Sequence, residues 1–112
     1  MPKYQGNIIY GSSDNNTGGS NGIYADGNRA VISNNIIRGI ANTSSGTAKA
    51  IVMTGDFITV IGNEIYDITS TSSFVYGIQT ASTASHVNIN GNNIAFSSIF
   101  LGIPISCILN LA

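Results

Sequence analysis

Ile58–Ile68 reads ITVIGNEIYDI. Gly62-Asn63 stands at its centre. Val60 lies two places before the pair, and Ile65 lies two places after the asparagine. Ile58, Val60 and Ile65 fall on one side of an extended chain, and Thr59, Glu64 and Tyr66 on the other. A period of two marks half-buried strands. The residue types agree, since Ile, Val, Thr and Tyr fit a pleated surface. No window of the chain carries the three-and-four spacing of an amphipathic helix with caps.

The same pattern recurs along the chain. Asn7, Asn35, Asn63 and Asn92 follow one another at intervals of 28, 28 and 29 residues. Gly6, Asn34, Gly62 and Gly91 precede them, and Ile9, Ile37, Ile65 and Ile94 come two places after. Tyr4, Ile32, Val60 and Ile89 stand three places before, and Pro2, Ala30, Ile58 and Val87 two places further back. A second marker keeps step: Gly22-Ile23, Ala50-Ile51, Gly77-Ile78 and Gly102-Ile103. One repeat then predicts three strands, Ile51–Thr54, Ile58–Ile61 and Glu64–Ile68. Polar loops, ANTSSGTAK at 41–49 and TSTSSFVY at 69–76, lead from one repeat to the next.

Equivalent positions match head to tail, which suits parallel stacking better than hairpins. Each repeat then rises by one inter-strand spacing, ~4.8 Å. The apolar columns fill the interior, which a single repeat cannot bury by itself. The expected fold is all-β, a parallel β-helix solenoid of about four coils of 27–29 residues with three short strands each. The whole chain, 1–112, is one such segment, with coils at roughly 1–21 (partial), 22–49, 50–76 and 77–101, then a partial coil or cap at 102–112. The asparagine column is expected to take the positive φ of a sharp bend, a backbone state that Asn and Gly tolerate. Its stacked amides are expected to hydrogen-bond from coil to coil.

SNNIIRGI, IGNEIYDI and NGNNIAFS resemble the repeats of right-handed parallel β-helix proteins, the pectate-lyase-like superfamily, over roughly residues 4–103. The resemblance, with the general preference for right-handed parallel crossovers, implies a right-handed coil. It is specific for fold and nearly silent on activity. Members include polysaccharide lyases, glycoside hydrolases, sugar epimerases, phage tail spikes and large surface proteins without known catalysis. Ser/Thr-rich repeats carrying Tyr-Gly-Ile are most similar to the last kind, from bacterial secreted or surface proteins.

Composition narrows the partners. Charged residues make up 8% of the 112, with a net charge of −1. That leaves no electrostatic case for nucleic acid or anionic lipid. Cys107 is the single cysteine, so no internal disulfide forms. The apolar tail IFLGIPISCILNLA, 99–112, is shorter than the ~20 residues of a membrane span. It reads as a fifth first-strand, starting at Gly102-Ile103, or as a cap. The start, MPKYQGNII, has no signal segment and already lies inside a repeat. The expectation is a fragment of a longer extracellular or cell-surface protein. Open solenoid ends expose strand edges and apolar surface, so self-association is expected.

The acids are Asp14, Asp26, Asp56, Glu64 and Asp67. Glycoside hydrolysis needs two carboxylates facing one substrate, and Asp26 and Asp56 fall near the same turn of adjacent coils. Arg29 sits beside them as a base for β-elimination or as a salt-bridge partner for Asp56. The plainer reading makes both acids turn residues beside Gly27 and Gly55. His86 lies before the Val87 strand with no nucleophile at a triad spacing, and reads as a loop histidine. Asp14-Asn15-Asn16 lacks the spacing of a calcium loop, so no metal or other cofactor is expected. Asn15-Asn16-Thr17 and Asn42-Thr43-Ser44 are formal glycosylation sequons. Carbohydrate contact is expected instead from outward columns. Tyr10, Arg38 and Tyr66 line one with Ala95, and Tyr24 lines another with Val52 and Gln79; such rings can stack on the apolar faces of sugars. The sequence thus predicts a non-catalytic structural or surface segment contacting polysaccharide. The alternative is a fragment of a polysaccharide lyase, glycoside hydrolase or sugar epimerase.

Overall fold

A computed structural model describes residues 3–10, 13–14, 19–43, 45–71, 75–80, 86–95 and 105–110. At Tyr10, Ser13, Asp14 and 105–110 it describes the backbone alone. The described chain forms short strands and climbs in coils. The first coil holds β1 (Lys3–Gln5), β2 (Ile8–Tyr10), β3 (Ser13–Asp14) and β4 (Ser20–Ala25). The second holds β5 (Val31–Ser33), β6 (Ile36–Arg38), β7 (Ala41–Asn42) and β8 (Ala48–Met53). The third holds β9 (Ile58–Ile61), β10 (Glu64–Tyr66), β11 (Thr69–Ser70) and β12 (Val75–Thr80). The last holds β13 (Val87–Asn90), β14 (Asn93–Ala95) and β15 (Ile105–Asn110).

Every strand pairs in parallel with its counterpart one coil away. The sheets run β1-β5-β9-β13, β2-β6-β10-β14, β3-β7-β11 and β4-β8-β12-β15. The register follows the repeat: Ile32 lies against Val60 and Val60 against Ile89, while Ile37, Ile65 and Ile94 stack in the next sheet. The molecule is a parallel β-solenoid of about four coils.

Burial follows the alternation. Ile32, Ile37, Ile51, Val60, Ile65 and Ile78 are fully enclosed, and Ile58 nearly so. Each such side chain contributes about 1.5–3 kcal/mol of burial, but only once a neighbouring coil covers it. Volume is traded along columns as well as within them, for Ala25, Met53 and Thr80 share one register position and are all buried.

The bend between the first two sheets repeats in every coil. Positive φ falls on the residue before the asparagine column: Gly6 (66°), Asn34 (56°), Gly62 (70°) and Gly91 (64°). This corrects the expectation that Asn7, Asn35, Asn63 and Asn92 themselves take the bend. Those side chains turn inward instead. Asn35 Nδ2 and its backbone N–H both donate to Asn63 Oδ1, at 2.9 and 3.0 Å. Asn7 donates in the same way to Asn35 Oδ1, and Asn63 to Asn92 Oδ1. In Asn35, Asn63 and Asn92 the Nδ2 also reaches back to a carbonyl of the coil before: Tyr4 O, Ile32 O and Val60 O respectively. Asn35 and Asn63 are 1% exposed, so these bonds satisfy amides that water cannot reach.

The coil has a fourth strand where three were expected. β7 and β11 pair within the stretches read as polar loops, and β8 and β12 begin there as well. The inward residues are polar. Asn42 Nδ2 donates to Ser20 Oγ at 3.2 Å, Gly46 N–H donates to Asn42 Oδ1 at 3.1 Å, and Ser70 Oγ–H donates to Gly46 O at 2.9 Å. Internal hydrogen bonding thus buries a corner without apolar side chains. Asn42 is 1% exposed, so the acceptor amide of the second sequon lies inside the folded coil. Asn15, Asn16 and Thr17 lie outside the described residues.

β15 pairs with β12 and places Ile108 against Ile78. The tail therefore does continue the stack as a strand. Its register differs from the expected one: Ile108 occupies the column assigned to Ile103. Gly102 and Ile103 lie outside the described residues.

Candidate functional site

The outward position of the second sheet places Tyr10, Arg38, Tyr66 and Ala95 at successive register positions. Their neighbours Ile37, Ile65 and Ile94 pack on the core side, which turns Arg38, Tyr66 and Ala95 outward; Tyr10 shares the column in its backbone register. The Arg38 guanidinium lies 6.0 Å from the centroid of the Tyr66 ring. Arg38 is exposed and Tyr66 half-buried. Adjacent positions in this column are one strand spacing apart, ~4.8 Å. The column thus presents an aromatic face beside a planar cation, the pairing that suits apolar sugar faces and their hydroxyl or carboxylate groups.

The fourth sheet carries the second column. Tyr24, Val52 and Gln79 share a register position, as do Asn21, Lys49 and Tyr76. Tyr24 is 55% exposed, whereas Val52 is buried at 6%. The column is therefore interrupted at its middle coil, and its free ring belongs to the first. Burial lowers the pKa of the Lys49 ammonium from the usual lysine value, because desolvation penalises the charged form.

The turn between the fourth sheet and the first gathers the charged candidates. Asp26 Oδ1 accepts from Thr54 Oγ1 at 2.7 Å, and Asn28 Oδ1 accepts from the Asp56 N–H at 2.9 Å. Asp56 Oδ1 accepts from the N–H of Phe57 at 3.0 Å and of His86 at 2.6 Å. His86 Nδ1 lies 3.1 Å from the same carboxylate. The ion pair expected between Arg29 and Asp56 is replaced by this His86–Asp56 pair. Arg29 contacts the Asp56 carbonyl through its backbone N–H, at 2.8 Å, while its guanidinium sits 5.2 Å from the Phe57 centroid. The opposite side of Phe57 stacks on the His86 ring, with centroids 4.4 Å apart and planes 4° from parallel.

Arg29, Phe57 and His86 thus form one exposed column across three coils. Arg29 and Phe57 hold φ of 61° and 55°, a left-handed state costing ~1 kcal/mol for a side chain with a Cβ. The Asp56 cap on the Phe57 N–H and the stacking of the side chains offset part of that cost. A Cβ on Gly55 would collide with Gly27 O, so the turn also needs glycine packed against the previous coil. A shallow recess of about 380 Å³, open to solvent, runs beside the column along Phe57, Ile58, Thr59, His86, Val87 and Asn88.

The arrangement brings Asp26, Asp56 and Arg29 to one turn, where each acid accepts a hydrogen bond from the next coil. His86 lies on the bend before β13, the loop position the sequence suggests, and its ring joins the column there. The signal that finds it is the repeat itself, which puts position 86 in the column of 29 and 57 once the two-residue insertion before Val87 is allowed for. No group of three or more His, Cys, Asp or Glu side chains able to hold a metal ion occurs among the described residues, and no helix there is long and apolar enough to cross a membrane. Comparison with known protein families, curated proteins and solved structures finds no match to this chain.

Proposed function

We propose that the chain is a non-catalytic segment of an extracellular or cell-surface solenoid, a right-handed parallel β-helix of the pectate-lyase-like kind, whose outward face contacts polysaccharide. The observation that carries this reading is the second-sheet column, in which Arg38 and Tyr66 stand one coil apart with the guanidinium against the ring. Tyr10 continues that column at the backbone level, and Tyr24 adds an exposed ring on the fourth sheet. The rest of the surface suits the same role. Few charges and many hydroxyl and amide groups make a face that hydrogen-bonds to sugars without selecting for a polyanion or polycation.

Binding to an array of bacterial and plant polysaccharides tests the proposal. Wild-type chain is expected to bind at least one glycan. Tyr66→Ala and Arg38→Ala are each expected to weaken that binding about tenfold, the 1–2 kcal/mol that a ring or cation contact is worth, with the circular dichroism unchanged. Binding that survives both substitutions contradicts the assignment of the face. The absence of binding to any glycan leaves a purely structural segment. Cleavage of a uronic-acid polymer that is lost in Asp56→Ala or Arg29→Ala reverses the proposal in favour of a lyase fragment.

A further inference from the structure

Phe57 is an unusual residue for its turn. It lies just before β9 in the third coil, between Arg29 of the second and His86 of the fourth, and is still 49% exposed. Its backbone holds a φ of 55°, a state that Asn34 and Gly62 take at the other corner with less cost. Backbone strain kept under a large exposed side chain is a mark of ligand sites.

The recess beside it has two unlike sides. Phe57 and His86 form one, and Thr59 and Asn88 form the other. Thr59 and Asn88 are register partners on β9 and β13, turned outward by the alternation that sends Ile58 into the core. Neither the Thr59 hydroxyl nor the Asn88 amide has a hydrogen-bond partner among the described residues. Arg29 and His86 occupy the two sides of the Phe57 ring, so the ring turns its edge to solvent. Aromatic edges carry partial positive charge, which suits hydroxyl oxygens. The wall is also fixed in advance. His86 Nδ1 lies 3.1 and 3.2 Å from the two Asp56 carboxylate oxygens, while the ring stacks on Phe57. A ligand therefore need not order it.

Shape and charge narrow the occupant. A volume of about 380 Å³ lies within the range of ligand sites. The recess is shallow and open, so it cannot enclose a compact apolar molecule. It suits a unit of a longer chain, contacted along one side. Two carboxylates, Asp26 and Asp56, stand at this turn against the single guanidinium of Arg29. An acidic sugar brought here meets like charge at short range. We propose that the recess is a subsite for a neutral sugar unit of a polysaccharide, held between the Phe57–His86 edge and the side chains of Thr59 and Asn88. The proposal rests on the polysaccharide reading for its class of ligand. It differs from the second-sheet column in its residues and in the charge of the sugar.

NMR titration of the isotope-labelled chain tests it. Cellohexaose, mannohexaose and xylohexaose serve as neutral probes, and hexagalacturonate as the acidic one. At least one neutral hexamer is expected to shift the signals of Phe57, Thr59, His86 and Asn88. Hexagalacturonate is expected to bind there about tenfold more weakly or not at all. The same shifts are expected in an Arg38→Ala, Tyr66→Ala background, where the second-sheet face is disabled. Phe57→Gly suits the left-handed backbone and removes the ring, and should weaken binding roughly fivefold. Thr59→Val and Asn88→Ala, which leave the turn untouched, should each cost about fivefold. A neutral hexamer that moves only the Arg38 and Tyr66 signals overturns the subsite and spares the second-sheet reading. The subsite is overturned equally if no neutral hexamer moves its signals, if hexagalacturonate binds there as tightly, or if Phe57→Gly leaves the affinity unchanged.

Discussion

Two corners of the coil solve the same geometric problem in opposite ways. At the Gly62-Asn63 corner the residues barely change from coil to coil. Gly or Asn takes the positive φ, and an asparagine turns in to bond along the axis. At the corner of Arg29, Phe57 and His86 each coil uses a different residue in the stack, and two large side chains accept the left-handed backbone. The difference follows from solvent. Inside, an amide must find its partner in the next coil, and only the same amide one layer away has the right shape and donor set. Outside, water satisfies whatever is left over, so stacking of many kinds is tolerated.

The first way to break the comparison is to remove one rung of the inner corner. Asn63→Leu deletes the acceptor of two Asn35 donors and the donor to both Asn92 Oδ1 and Ile32 O. Each buried polar group left unmet costs about 1–3 kcal/mol. The expected loss is about 4 kcal/mol in urea unfolding, a large share of the ~5–15 kcal/mol of an ordinary domain. The outer corner is expected to respond far less. Arg29→Gly loses a cation–ring contact worth ~0.5–1 kcal/mol and relieves a left-handed backbone worth about as much. Its midpoint in the same titration should move by less than a tenth of the change at Asn63. A loss at Arg29 comparable to that at Asn63 would show that the outer stack carries structural weight.

Lys49 sharpens the boundary between the two regimes, being half-buried and charged. Its folded pKa lies below the ordinary lysine value because of desolvation. The unfolded chain therefore keeps its proton to higher pH than the folded chain does. Between the lowered value and the unfolded value, 10.5, the unfolded state binds more protons, and stability rises with pH. Thermal melts of wild-type chain should show that rise approaching pH 10.5, and Lys49→Met should flatten it. The effect is the smallest of the three, since water still reaches part of the ammonium.

The sequence makes the inner architecture readable because its cause is periodic. Ile32, Val60 and Ile89 recur at equal intervals, and only stacked layers bury them all. The β7–β11 sheet was harder to read, since its buried residues are Asn42 and Ser70 and a two-residue strand is too short for alternation to register. The tail shift to Ile108 had the same origin: one Gly-Ile pair resembles another, and only pairing along the whole strand chooses between them. At the outer corner the sequence placed Asp26, Asp56 and Arg29 together but missed that His86 takes the Asp56 carboxylate. An insertion hid the column, and side chains of three unlike types leave no pattern to follow. The sugar-contact face was legible as a column because Arg38 and Tyr66 ride on the same period as the core. Its ligand was not, because exposed side chains answer to a partner that the repeat does not encode.

The central claim is that successive coils are equivalent layers in one fixed register. In a Cys107→Ser background, Ile36→Cys with Glu64→Cys places cysteines at opposed Cα partners, one strand spacing apart. Shifting one of them by two residues, Arg38→Cys with Glu64→Cys, keeps the same face but widens the Cα separation to ~8 Å, beyond the ~7 Å limit for a disulfide. Mass spectrometry after mild oxidation should find near-complete internal disulfide in the first pair and little in the second. Equal yields, or a reversal, would contradict the layered register and everything built on it.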